Sequence, residues 1–118
     1  MRILYIALAG VAGTLARYGL EGWVNGRVGT ITVNLTGSFA LGFIVRYATG
    51  SMVISPDVRA ALTIGFCGAF TTMSTFSYES MALLWDGDYW RAALYMGATI
   101  VGCLIAIALG TALANKLL

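Results

Sequence analysis

Residues 71–80 carry six aliphatic hydroxyls (Thr71, Thr72, Ser74, Thr75, Ser77 and Ser80), the phenol of Tyr78 and the carboxyl of Glu79. Hydroxyls donate and accept hydrogen bonds without carrying a fixed charge, so such a cluster can serve a solute or tie one helix to another. Asn34 adds an amide with two donors and an acceptor. Tyr95 and Thr99 stand four apart, a spacing that puts a phenol and a hydroxyl on one helical face. Met73 and Phe76, three apart, also share a face, which reads either as packing or as a ring whose positive edge meets an anion.

The missing residues narrow the chemistry further. The chain has no histidine, and so lacks the commonest neutral-pH base and the commonest metal ligand. No nucleophile is paired with a base and no acids or thiols stand at metal-binding spacing, so the chain is not expected to be an enzyme. Cys67 and Cys103 each lie in an apolar run and read as small hydrophobes. An amide, many hydroxyls and aromatic edges suit a small anion better than a cation, for which rings of acids are expected. From the residues alone, the reading is an anion pathway or polar helix packing.

The elements that must hold these groups follow from composition. Of 118 residues, 59% are hydrophobic and 10% charged, against roughly 25% charged in a soluble domain. The seven basic residues are scattered along the chain, which argues against a nucleic-acid partner. Crossing about 30 Å of hydrocarbon takes roughly 20 apolar residues. Residues 3–20, 28–48, 58–85 and 90–113 qualify, which predicts an all-α membrane protein with four spans in a single domain, 1–118. Trp23, Trp85, Tyr89 and Trp90 sit at the predicted connections, where aromatic side chains anchor at the bilayer surface. The apolar run ahead of the small residues Ala7-Leu8-Ala9 is Ile3-Leu4-Tyr5-Ile6, short for a cleaved leader.

The third span is longer than a straight crossing needs, and a break near residues 68–72 would use the surplus. Broken backbone survives at that depth only where protein or a wet cavity covers it, and its freed carbonyls can coordinate a small cation. In the fourth span, Ala98, Gly102, Ala106, Gly110 and Ala114 recur every four residues, as in close helix contacts. Four spans place both termini on one side. Arg2, Arg46, Arg59 and Lys116 then face Arg17, Arg27 and Arg91, a four-to-three division that hardly fixes orientation. An antiparallel homodimer in the lipid bilayer is one natural consequence, context-dependent insertion another. Asn34 reads as a site or as interhelical glue. Arg17 reads as a snorkelling or a vestibule residue, and Glu79 as interfacial, paired or protonated.

Three stretches sharpen these readings. Gly10-Val-Ala-Gly13-Thr-Leu-Ala-Arg17-Tyr18, Gly29-Thr-Ile-Thr-Val-Asn34-Leu-Thr-Gly37-Ser38 and Gly65-Phe-Cys-Gly68-Ala-Phe-Thr71-Thr72-Met73-Ser74-Thr75-Phe76-Ser77 resemble, in order, signatures of the Fluc (CrcB) family of fluoride channels. That resemblance implies a dual-topology antiparallel homodimer in the inner (plasma) membrane, with two pores that pass fluoride ion passively out of the cell. It implies that Asn34, Met73, Ser74, Thr75, Phe76, Tyr95 and Thr99 serve the pore and Arg17 a vestibule. It also implies a structural sodium held by the backbone carbonyls of Gly68 and Thr71. Met73 departs from the phenylalanine usual there, and Cys103 from the usual hydroxyl. The alternatives are a proton-coupled exporter of the small-multidrug-resistance kind, disfavoured because the first span lacks an acid, and a non-transporting membrane assembly subunit.

Overall fold

The computed structural model describes residues 1–118, and every regular element is helical. Helix α1 spans Arg2–Trp23 and α2 Gly26–Ser51. The third span begins as α3 (Pro56–Ala60), with Ser55 accepting from the Val58 N–H and Pro56 in the first turn, where its missing N–H costs nothing. It widens into a π segment (Ala61–Cys67), ends in the short α4 (Gly68–Phe70) and resumes as α5 (Met73–Trp85). Helix α6 covers Tyr89–Leu117. The helices overrun the apolar runs by a few residues at most ends, leaving connections such as Val24-Asn25 and Asp86-Gly87-Asp88, where Gly87 takes a left-handed φ of +75°.

Helices α1, α2 and α6 are each long and apolar enough to cross a membrane. The contacts give the directions. Arg2 pairs with Asp57 and Arg17 reaches Ala69, so α1 and the first half of the third span run the same way. Arg46 reaches Asn115 and Gly102 lies against Leu35, so α2 and α6 also run together. Asn34 meets Thr72 and Thr30 meets Glu79, so α5 runs against α2 and continues the direction of α1. The outcome is an up-down-up-down bundle of four helices, the third in two pieces. Both termini lie beside the connection between the second and third spans, Arg2 at Asp57 and Leu118 at Gly50.

Only 20 of 118 residues are buried, and Leu8, Val11, Leu15, Leu104 and Ile105 all face outward. A surface this apolar needs lipid around it, and lipid gives helices no hydrophobic reason to associate, so close van der Waals contact must hold them together. A Cβ on Gly13 would strike the Phe66 carbonyl, one on Gly42 the backbone of Ile107, and one on Gly110 the backbone of Phe39. In α6 the buried stripe is Ala92, Tyr95, Thr99, Ala106, Gly110 and Ala114, with Gly102 half-buried. Ala98, expected on this face, is exposed. Steps of four overshoot the 3.6-residue turn by about 40° each, so a five-member series drifts off the seam.

Candidate functional site

The break falls at Thr71 and Thr72, inside the expected window. Both are extended, with φ/ψ of −87°/158° and −145°/112°. Extended backbone between two helices strands its polar groups, and a buried unpaired amide or carbonyl costs about 1–3 kcal/mol. Asn34 meets that need: its Nδ2 donates to the Thr72 carbonyl at 3.1 Å, and its Oδ1 accepts from the Thr72 N–H at 2.7 Å. The Thr72 hydroxyl caps α5 by accepting from the Thr75 N–H at 3.2 Å, and it donates to Thr75 Oγ1 at 3.0 Å. Ser74 Oγ lies 3.3 Å from the same oxygen. On the other side of the break, Thr71 donates through both its N–H and its hydroxyl to the Cys67 carbonyl. Arg17 Nε donates to the Ala69 carbonyl at 3.0 Å, and a guanidinium Nη stands 3.6 Å from Glu21.

These bonds divert two amides. The Thr72 N–H would close the next helical turn on the Gly68 carbonyl, and the Thr75 N–H would do so on the Thr71 carbonyl. One goes to Asn34 and the other to the Thr72 hydroxyl. The Gly68 and Thr71 carbonyls are thus released from their helical partners, and two released carbonyls are the hard oxygen donors a small cation takes.

Between the break, α2 and α6 lies a cavity of about 380 Å³. Of the residues expected to serve a pore, Asn34, Met73, Phe76 and Thr99 line it, together with Gly68 and Thr71. Asn34, Phe76 and Thr99 are buried, whereas Met73 is 72% exposed at the rim. Thr99 Oγ1 is buried with no partner, although a helical threonine can usually bond back to the preceding turn. The Asn34 amide keeps one N–H beyond the one given to Thr72. Both are donors.

Ser74, Thr75 and Tyr95 are not on the cavity wall. Ser74 and Thr75 bond the Thr72 hydroxyl. Tyr95 packs its ring 5.4 Å from that of Phe76 and donates to Glu79 Oε1 at 3.1 Å. The same carboxylate oxygen accepts from Thr30 at 2.6 Å, so Glu79 is paired, by two hydroxyl donors. Arg17 stands at the end of α4, away from this wall. Some hydroxyls do bond back to the preceding turn, Ser80 to the Phe76 carbonyl among them. Thr72, one of the hydroxyls of the 71–80 cluster but not among the expected pore residues, stands at the centre of these bonds. Its signal was a threonine just ahead of a resumed helix, the ordinary N-cap choice.

A multi-pass, all-helical membrane protein with a largely apolar cavity, set with a few buried donors, at a broken span is the class these features define. The chain belongs to the CrcB family: the family model described as "CrcB-like protein, Camphor Resistance (CrcB)" matches residues 4–111. Among its relatives, the "Fluoride-specific ion channel FluC" of Geotalea uraniireducens is 43% identical over 98% of this chain and 98% of its own. The protein of the same name from Geobacter metallireducens is 43% identical over 99% of each. That of Geobacter sulfurreducens is 43% identical over 98% of each. These relatives are named as ion channels, not enzymes, in keeping with the residue inventory.

Proposed function

We propose that this chain is a fluoride channel that lets cytoplasmic fluoride leave the cell passively across the inner (plasma) membrane. The observation that carries the reading is the donor pair at the break. The partnerless hydroxyl of Thr99 and the spare N–H of Asn34 belong to one cavity, in a wall that holds no carboxylate. A buried donor without an acceptor costs about 1–3 kcal/mol, and a dehydrated small anion is the acceptor that recovers it. The Phe76 ring, held against Tyr95, adds a polarised edge. An interior-negative potential is worth about 2.3 kcal/mol per charge per 100 mV, so export of an anion needs no coupling. The names of the relatives support fluoride as that anion.

Two copies inserted in opposite directions form the working channel, with two antiparallel pores each lined from both subunits. The four-to-three division of basic residues supports this, since neither orientation is strongly favoured. The carbonyls of Gly68 and Thr71, released by Asn34 and Thr72, would hold a sodium ion between the copies, and that ion supplies fixed positive charge at the interface. Ser74 and Thr75 act through Thr72, Tyr95 through Phe76, and Arg17 by holding the end of α4 at the vestibule side.

The test is fluoride efflux from proteoliposomes made with Asn34→Asp. Aspartate keeps an acceptor for the Thr72 N–H but offers the pathway no donor and adds negative charge. Efflux should be lost while the protein still elutes as a dimer; retained efflux would remove Asn34 from the pathway.

A further inference from the structure

Two thiols line the cavity at the break, Cys67 from the end of the π segment and Cys103 from α6 one turn beyond Thr99. Neither forms a disulfide. No hydrogen bond in the fold uses either sulfur, the nearby bonds going to the Cys67 carbonyl instead. Met73 brings a thioether to the rim of the same cavity. Sulfur therefore reaches this space from three elements, in a chain without histidine. Nowhere in the molecule do three imidazole, thiol or carboxylate groups gather as they would for a hard or borderline metal. Thiolates and thioethers select soft d¹⁰ cations.

We infer that the cavity is a binding site for a soft monovalent cation of the copper(I) or silver(I) kind, held between Cys67 and Cys103 and plugging the space when bound. The cation displaces one thiol proton to bulk water, leaving a neutral cation–thiolate unit that apolar walls tolerate where a bare charge would be expelled. The other sulfur completes the two-coordinate arrangement such cations accept. That occupancy stops fluoride rests on the channel reading above; the binding itself does not.

The experiment uses purified full-length protein in a chloride-free nitrate buffer, with silver(I) as the probe and bound silver counted after desalting. One silver per chain is expected, and Cys67→Ser and Cys103→Ser should each weaken it at least tenfold. Each single variant holding silver as tightly as the parent would mean independent thiols and would overturn the shared site, as would a parent that binds none. Thiol alkylation of the unmutated protein covers a variant that does not fold. One equivalent of silver should slow labelling of both cysteines at least tenfold, and protection of one alone contradicts the inference. In liposomes, silver should block fluoride efflux and a thiol chelator restore it. Efflux that persists with silver bound overturns the plug. Absence of efflux before silver is added counts against the channel reading, while the silver count still decides the site.

Discussion

The side-chain amide of Asn34 and the backbone of Thr72 exchange two hydrogen bonds, at 3.1 and 2.7 Å, across the break in the third span. One side chain on α2 thereby replaces the helical partners of an extended residue at membrane depth. It also releases the Gly68 carbonyl, whose helical donor it has taken. Of the two roles the sequence leaves open for Asn34, interhelical glue is the one these bonds display.

Asn34→Ala should therefore destabilise the fold by about 2–4 kcal/mol, because it leaves both polar groups of Thr72 without partners. Unfolding in mixed detergent micelles, followed by tryptophan fluorescence, measures it. A loss under about 0.5 kcal/mol would show that the break does not depend on Asn34.

Thr99→Val separates conduction from stability. Thr99 Oγ1 is buried and partnerless, so replacing it with a methyl group of similar size should leave stability unchanged or raise it by up to about 1 kcal/mol. Fluoride efflux should nevertheless fall at least tenfold. Parallel unfolding and efflux measurements check both halves, and normal efflux would leave the hydroxyl without a role.

Close helix contact is tested by two glycines on α6. A methyl group at Gly110 would run into the Phe39 backbone, whereas one at Gly97 meets nothing within 4 Å. Gly110→Ala should cost about 1–3 kcal/mol through overpacking. Gly97→Ala should be neutral or stabilising by about 0.5–1 kcal/mol, since alanine loses less backbone entropy in a helix. Equal effects at the two positions would contradict the seam between α2 and α6.

Much of this arrangement was legible in the sequence because lipid imposes simple constraints. Apolar length marked the spans, and surplus length with a glycine-threonine run marked the break. The pairing of Asn34 with Thr72 was not legible, since it joins residues 38 apart and nothing local announces it. The sequence leaves Arg17 as a snorkelling or a vestibule residue, because its distance from a span end is all it offers; the Ala69 carbonyl to which it donates lies 52 residues away. Ser74, Thr75 and Tyr95 announce their hydroxyls in the sequence, but which way each one faces depends on the exact restart of α5 and on the phase of α6. Ala98 shows the same limit, because a four-residue interval approximates a helical face only over two or three steps.

Met73 stands at the cavity rim and is 72% exposed, so Met73→Phe should fold without strain. If a ring edge assists the anion there, efflux through this variant should rise above the parent's, by roughly threefold or more. Initial efflux rates at matched protein density measure it, and an unchanged or lower rate would place the rim outside the conduction step.

The most direct test of the account is fluoride release from liposomes carrying the purified, unmutated chain, followed with a fluoride electrode in sodium and in sodium-free buffer. The account predicts rapid release driven by membrane potential alone, with no proton gradient, and a marked loss of activity once sodium is removed. Liposomes that hold their fluoride with sodium present and an outward driving force applied would contradict it.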